Sequence, residues 1–178
     1  MPKNMANYLT IGRVLMIPVF LVLMYVDFPG SRYWALGVYI VACLTDFADG
    51  YIARHYNQIS DFGKFMDPLA DKCLVMAALC CFVEQGDMLA WILAIVLVRQ
   101  FAVSGMRLVA VEKGRVIAAG WSGKIKTAST MVCICLILFG IPHSLNIVCQ
   151  IVILVTTVYS GVEYFVKNAD VFKTAKEA

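Results

Sequence analysis

Six long apolar stretches follow one another along this 178-residue chain, with short polar connections between them. Each is about 18–24 residues long, the length an α-helix needs to cross roughly 30 Å of hydrocarbon. Their apolar residues are continuous rather than alternating, so the pattern fits a membrane β-barrel poorly. The stretches lie at 9–28, 33–55, 65–85, 88–111, 117–140 and 145–166. We therefore expect an all-α integral membrane protein, a bundle of six transmembrane helices.

Six spans use most of the chain, so we expect a single membrane domain over residues 1–178 with no room for a soluble domain. Charged residues make up only 15% of the sequence, against about 25% in an average soluble domain. The formal net charge of +3 is spread along the chain, which disfavours nucleic-acid binding. The seven cysteines all lie inside apolar stretches and are expected to act as small packing residues.

The basic residues are distributed unequally between the two ends of the predicted helices. If the N-terminus lies in the cytoplasm, all fifteen Lys and Arg residues except Arg32 fall on the cytoplasmic side. Cytoplasmic loops of membrane proteins carry an excess of Lys and Arg. Both termini are therefore expected to be cytoplasmic.

Four aspartates lie within or beside the second and third apolar stretches. A charge at the centre of a span costs about 2.5–3.5 kcal/mol on insertion scales, so these carboxylates need a better environment than lipid. Spacings of three and four residues place each pair on one helical face, and antiparallel helices bring both faces to the same depth. Gathered carboxylates stay ionised only if cations neutralise them, and oxygen ligands suit Mg²⁺, Mn²⁺ or Ca²⁺. The four residues are Asp46, Asp49, Asp67 and Asp71.

These aspartates belong to one continuous motif. Asp46-Phe-Ala-Asp-Gly-Tyr-Ile-Ala-Arg54 is followed, after eight residues, by Gly63-Lys-Phe-Met-Asp-Pro-Leu-Ala-Asp71. The motif resembles the signature of the CDP-alcohol phosphotransferases, with all eight fixed positions present at the expected spacing. That family consists of membrane enzymes with six transmembrane helices, usually homodimers. The resemblance covers 26 residues in the signature and nearly the whole chain in architecture.

The resemblance implies a role for each residue of the motif. The four aspartates would hold one or two Mg²⁺ or Mn²⁺ ions, and Asp71 would also be the base that takes the proton from the attacking alcohol. Gly50 and Ala53 would leave room for the cytosine end of the substrate. The CDP pocket would be formed by Asp46, Asp49, Gly50, Ala53, Arg54 and Gly63.

A second group of basic residues lies at the predicted cytoplasmic ends of the first, fourth and fifth helices. Arg and Lys there suit a phosphorylated acceptor, although part of this charge is expected from membrane topology and anionic lipids alone. Three of the segments are Asn7-Tyr-Leu-Thr-Ile-Gly-Arg13, Arg99-Gln-Phe-Ala-Val-Ser-Gly-Met-Arg107 and Gly123-Lys-Ile-Lys-Thr127. They resemble segments of the bacterial phosphatidylglycerolphosphate synthases, a subfamily that usually has Glu where this chain has Gln100.

The narrower resemblance implies the substrates CDP-diacylglycerol and sn-glycerol 3-phosphate, and the products phosphatidylglycerol phosphate and CMP. It also implies a location in the bacterial cytoplasmic membrane, with the active site facing the cytoplasm and reachable sideways by membrane lipids. The implied acceptor-phosphate residues are Thr10, Arg13, Arg107, Lys124 and Lys126.

Two alternatives remain at this point. A relative in the same family could use another acceptor: phosphatidylglycerol, serine or an inositol phosphate. A cation transporter could use the four aspartates as its ion site, but transporters usually have broken helices at mid-membrane and internal repeats. The sequence shows neither feature, so the metal-dependent transferase is preferred.

Overall fold

The computed structural model of the chain describes the backbone of residues 5–56, 61–115, 117 and 120–172. It describes the side chains of residues 11–45, 69–70, 72–115, 117 and 120–171. This part of the chain is all-helical, and the six predicted helices are confirmed in order, with ends within four residues of those predicted. They are α1 (Met5–Tyr25), α2 (Ser31–Tyr56), α3 (Asp61–Glu84), α4 (Ala90–Glu112), α5 (Trp121–Phe139) and α6 (His143–Lys167), followed by a short 3₁₀ helix (Ala169–Phe172).

Three of the described helices, α4, α5 and α6, are long and apolar enough to cross a membrane. A shorter apolar segment, Ile11–Tyr25, lies in α1. Large apolar side chains such as Val98, Phe101 and Val166 are exposed on these helices, as lipid contact requires. The chain is therefore a membrane protein with several apolar spans.

The turn before α2 depends on a glycine. Gly30 has a φ of 85°, a left-handed conformation that residues with a Cβ rarely adopt. Its carbonyl oxygen accepts a hydrogen bond of 2.9 Å from the Tyr33 backbone N–H. The chain can thus reverse direction within a few residues after α1 and begin α2.

The described helices form two compact units. The first contains α1, α2 and α3 together with residues 134–141. α1 packs against both α2 and α3, with the rings of Phe20 and Tyr39 6.1 Å apart between α1 and α2. The Tyr25 hydroxyl donates a hydrogen bond to the Glu84 carboxylate, so α1 and α3 end side by side.

The second unit contains α4, residues 121–133 of α5, and α6 with the 3₁₀ helix. α4 packs against α6, and both begin at the same end of the unit, because Gln150 Nε2 donates to the Asp87 carbonyl at 3.0 Å. They also end together, since Lys113 Nζ donates to the Val171 carbonyl at 2.6 Å. α4 and α6 therefore run parallel, as expected for alternate helices of an up-and-down bundle.

Candidate functional site

The acidic motif lies on two helices of the first unit. α2 includes residues 46–54 and α3 includes residues 63–71, so the spacings used in the prediction apply to helical backbone. The side chains of the predicted metal ligands and CDP-pocket residues lie outside the described ones, and their roles stay predictions. These residues are Asp46, Asp49, Gly50, Ala53, Arg54, Gly63, Asp67 and Asp71.

Two of the predicted acceptor residues lie on α1, also in the first unit. The Thr10 side chain lies outside the described part of the chain. Arg13 is buried, with only 1% of its surface exposed. Burying a guanidinium removes it from water at a cost of several kcal/mol, which hydrogen bonds or negative charge must offset. The position of Arg13 is therefore suited to a residue that meets an anionic group inside the protein.

Arg107 lies near the end of α4, half-buried against α6. Its Nε donates a hydrogen bond of 3.1 Å to the Tyr164 hydroxyl, and its Cζ lies 5.5 Å from the centre of the Tyr164 ring. Tyr164 is itself only 8% exposed and packs with Val103 and Met106. The tyrosine holds one edge of the guanidinium, while the two terminal nitrogens make no hydrogen bond to the described residues.

The two predicted lysines of α5 lie on different faces of that helix. Lys124 is exposed, with its Nζ 5.0 Å from the centre of the Trp121 ring. Lys126 is buried, with 6% of its surface exposed. Residues two positions apart on an α-helix lie on different faces of the helix, because each residue advances about 100° around the axis. The structure thus brings Lys124, Lys126 and Arg107 into one unit but separates the two lysines by face.

A further cation, Arg99, lies on α4 eight residues before Arg107. Its stem passes over α6, since a Cβ added at Gly161 would lie 3.1 Å from Arg99 Cγ. Its guanidinium reaches the start of α5, where a Cβ added at Gly123 would lie 3.9 Å from Nη2. Arg107 lies about two turns further along α4, and its partner Tyr164 lies three residues after Gly161 on α6. Arg99 Nε is buried and has no hydrogen-bond partner among the described residues.

A polar cavity of about 280 Å³ opens beside Tyr164. Its walls come from the end of α6, including Lys167, and from Arg115, Ile117, Gly120 and Ser122. Small-molecule sites typically measure about 300–1,000 Å³, so this cavity suits a small polar molecule. The lining also includes the Glu163 carboxylate, which accepts a hydrogen bond from Lys167, so the ammonium group there is already paired.

Tyr164 was not among the predicted site residues. A signal for it exists in the sequence, because Thr157, Ser160 and Tyr164 recur at three- and four-residue spacing within a largely apolar helix. All three are buried. Polar side chains on one buried face of a membrane helix mark the face that packs against protein rather than lipid.

The helices and the acidic motif together define a class of membrane enzyme. The sequence pattern of the CDP-alcohol phosphatidyltransferases matches residues 3–162, and the chain belongs to this family. The matched region includes both halves of the motif as well as Arg99, Arg107, Lys124 and Lys126. The resemblance drawn from residues 46–71 is thereby confirmed.

Similar proteins extend over nearly the whole chain. The CDP-diacylglycerol–glycerol-3-phosphate 3-phosphatidyltransferase of Bacillus subtilis (strain 168) is 37% identical over 191 aligned positions, which cover 97% of this chain and 98% of the relative. The protein of that name from Haemophilus influenzae is 34% identical over 171 positions, covering 92% of each chain. A probable phosphatidylglycerophosphate synthase of Mycobacterium tuberculosis (strain H37Rv) is 36% identical, covering 90% of this chain and 79% of the relative.

Proposed function

We propose that this protein transfers the phosphatidyl group of CDP-diacylglycerol to sn-glycerol 3-phosphate, forming phosphatidylglycerol phosphate and CMP. It is a phosphatidyltransferase of phospholipid biosynthesis. The observation that carries the proposal is the similarity of nearly the entire chain to relatives named for this reaction, including 37% identity to the Bacillus subtilis enzyme. The acidic motif at residues 46–71 is complete in this chain, which supports the same reaction.

The proposed reaction is a displacement at phosphorus. The acceptor hydroxyl attacks the phosphatidyl phosphorus, a P–O bond to the acceptor forms, and the P–O bond to CMP breaks. Asp71 accepts the proton of the attacking hydroxyl, as a positioned general base does. Gly50 and Ala53 keep the CDP pocket open, because larger side chains there would occupy the space of the ligand.

The four aspartates fit Mg²⁺ or Mn²⁺. They supply only oxygen donors, which these hard cations prefer, and they come from two helices of the same unit. One or two ions bound there would neutralise diphosphate charge and stabilise the departing CMP. Asp46, Asp49, Asp67 and Asp71 are the proposed ligands.

The phosphate of the acceptor is held by basic side chains in this proposal. The burial of Arg13 and Lys126 supports the assignment, because ionisable residues of membrane helices that face the protein interior mark functional sites. Arg107 also supports the assignment. Only its Nε donates to Tyr164, so its two terminal nitrogens are available to donate hydrogen bonds to a phosphate. The proposed set is Thr10, Arg13, Arg107, Lys124 and Lys126.

The proposed membrane arrangement extends these assignments. Six helices span the bacterial cytoplasmic membrane, both termini lie in the cytoplasm, and the active site faces the cytoplasm. The support is the unequal distribution of Lys and Arg along the sequence. Residues 1–178 act as one catalytic domain, and the enzyme is a homodimer, as is usual in the family.

The experiment that tests the function measures CMP release by purified protein in detergent with CDP-diacylglycerol and Mg²⁺. Each candidate acceptor is added in turn: glycerol 3-phosphate, phosphatidylglycerol, serine and inositol phosphate. We expect CMP only with glycerol 3-phosphate. Release of CMP with another alcohol would show that the acceptor is different, while the reaction type would remain that of the family. No CMP with any acceptor, from folded protein, would instead favour a cation transporter.

Two controls test the chemistry within the same assay. The Asp71→Asn variant is expected to bind CDP-diacylglycerol but lose turnover, because an amide cannot accept the proton; near-normal turnover would remove Asp71 from this role. Chelation of divalent ions is expected to abolish CMP release, and added Mg²⁺ or Mn²⁺ to restore it. Full activity after chelation would rule out the metal requirement.

A further inference from the structure

We propose that Arg99 binds the phosphate of the acceptor together with Arg107, so that two guanidinium groups of α4 form an anion site within the second unit. The inference rests on the proposed function, because it names an additional residue for the acceptor of that reaction. Resemblance to the subfamily did not assign this role to Arg99. The role follows from the depth, surroundings and direction of the side chain.

Arg99 lies near the middle of α4, a helix long and apolar enough to cross a membrane, rather than at the helix end expected from the sequence. It is nine residues after the first residue of α4, which corresponds to about 14 Å along the helix axis. That is close to half of the roughly 30 Å hydrocarbon thickness. Ionisable residues at this depth are rare, face the protein interior, mark functional sites and pair with one another or with backbone carbonyls.

Two acidic residues of the second unit already have cationic partners. Lys167 donates a hydrogen bond to the Glu163 carboxylate, one turn earlier on α6. Arg115 Nη1 donates to the Asp170 carboxylate just beyond the end of α6. Neither carboxylate is paired with Arg99, even though Glu163 follows Gly161 closely along α6.

The other two described acidic residues of this unit lie away from Arg99. Glu112 is the exposed last residue of α4, and Asp87 precedes α4 at the opposite end of that helix. Within the described residues, neither Arg99 nor Arg107 forms an ion pair. Among the described residues these two cations of α4 thus have no acidic partner, and a bound anion would supply the compensating charge.

The structure holds the Arg99 side chain in one direction. Its stem lines an apolar groove of about 490 Å³ between α4 and α6, where it takes the place of an apolar side chain. The absence of a side chain at Gly161 gives the stem room to pass. The guanidinium is thereby carried away from the groove and towards Gly123 at the start of α5. Tyr164, three residues after Gly161 on α6, accepts the hydrogen bond of Arg107.

The acceptor phosphate is the anion that matches this pair. A phosphate monoester carries nearly two negative charges at neutral pH, and guanidinium groups bind such oxygens through paired hydrogen bonds. The open nitrogens of Arg99 and Arg107 supply these donors. The diphosphate of CDP-diacylglycerol is assigned instead to the aspartate motif of the first unit. A change at Arg99 should therefore alter the KM for the acceptor and leave the KM for CDP-diacylglycerol unchanged.

The test compares Arg99→Gln with a matched control, Arg115→Gln, in detergent-purified full-length protein. Both changes remove one arginine charge from the same unit, but Arg115 is exposed and already paired with Asp170. Arg99→Lys is the third variant, because it keeps the charge and the apolar stem while losing the paired hydrogen bonds. Two quantities are measured: the KM for each substrate, and binding of sn-glycerol 3-phosphate by calorimetry without CDP-diacylglycerol.

We expect Arg99→Gln to raise the KM and the dissociation constant for glycerol 3-phosphate at least about tenfold, since a hydrogen bond to a charged group is lost. The KM for CDP-diacylglycerol should stay within about twofold. Arg99→Lys should fall between Arg99→Gln and the wild type, and it decides the question if Arg99→Gln does not fold. Arg115→Gln should match the wild type.

Unchanged acceptor KM and binding in a folded Arg99 variant would overturn the inference while leaving the proposed function intact. A raised KM for CDP-diacylglycerol alone would overturn it as well. Failure of the proposed function has a different signature, because the wild type would then release no CMP with glycerol 3-phosphate. In that event calorimetry with inorganic phosphate tests the pair directly, and binding that Arg99→Gln abolishes would uphold the anion site.

Discussion

Two polar clusters lie along the buried face of α6, and they differ in how completely their groups are paired. The amide cluster (Asp87, Leu89, Asn146 and Gln150) lies at the starts of α4 and α6. There Gln150 Nε2 and Asn146 Nδ2 donate to the Asp87 carbonyl at 3.0 and 2.9 Å, while Gln150 Oε1 accepts from the Leu89 N–H at 3.2 Å. The guanidinium cluster (Arg99, Arg107 and Tyr164) lies further along the same two helices. Its one described hydrogen bond joins Arg107 to Tyr164.

The difference separates a structural role from a binding role. Neutral amides that satisfy one another and the backbone stabilise the contact between α4 and α6, and they leave little for a ligand to bind. Guanidinium groups with open N–H donors cost free energy in the unliganded protein, so their retention points to a ligand. Mutations in the amide cluster should therefore change stability, and those in the guanidinium cluster should change acceptor binding.

The largest effect is expected from Arg107→Gln. Loss of charge-assisted hydrogen bonds of about 1.5–3 kcal/mol should raise the KM for glycerol 3-phosphate about 10- to 100-fold. The KM for CDP-diacylglycerol should not change, and steady-state CMP release at varied concentrations of each substrate measures both. An equal rise in the two values would contradict separate binding of the acceptor by this cluster.

Gln150→Leu should give the opposite result. The substitution leaves the Leu89 N–H without its side-chain acceptor and should lower the free energy of unfolding by about 1–3 kcal/mol. Both KM values should remain unchanged. Thermal and chemical unfolding in detergent measure the loss, with the neighbouring lipid-facing Ile151→Leu as the control. A normal melting temperature combined with a raised acceptor KM would reverse the roles given to the two clusters.

The sequence was sufficient to predict the helices because their apolar length is set by the bilayer. It was less accurate for helix ends. α3 begins at Asp61 rather than at residue 65, because helical hydrogen bonding continues into polar residues that an apolar stretch does not mark. The acidic motif and the family could be identified because the motif residues are close together in sequence. Arg107 was predicted from its own segment for the same reason.

The contacts that distinguish the two clusters could not be predicted in this way. Arg107 and Tyr164 are 57 residues apart in sequence, and only the packing of α4 against α6 brings them together. The direction of the Arg99 side chain likewise depends on Gly161, which lies on another helix. The separation of Lys124 from Lys126 could have been predicted from the sequence, because a spacing of two residues already places side chains on different helical faces.

Tyr164→Phe should have a smaller effect than Arg107→Gln. The ring and its packing remain, but Arg107 Nε loses its acceptor, so the guanidinium is held less firmly. A hydrogen bond of about 0.5–1.5 kcal/mol corresponds to a rise of about 2- to 10-fold in the acceptor KM. The KM for CDP-diacylglycerol should be unaffected. A general loss of structure would instead change the KM values of both substrates. If turnover fell while the acceptor KM stayed normal, Tyr164 would not be positioning Arg107 for the acceptor.

The smallest effect is expected where an arginine is already paired. Arg115 and Asp170 form an ion pair with both side chains about half exposed, and exposed pairs of this kind contribute little to stability. Arg115→Gln should leave the acceptor KM within about twofold of the wild type at low and at high salt. Arg99→Gln and Arg115→Gln remove equal charge, so general electrostatic attraction of an anionic substrate would affect both variants similarly and weaken with salt. A local anion site predicts that only the unpaired arginine matters, and kinetics of the two variants across ionic strength distinguish these explanations.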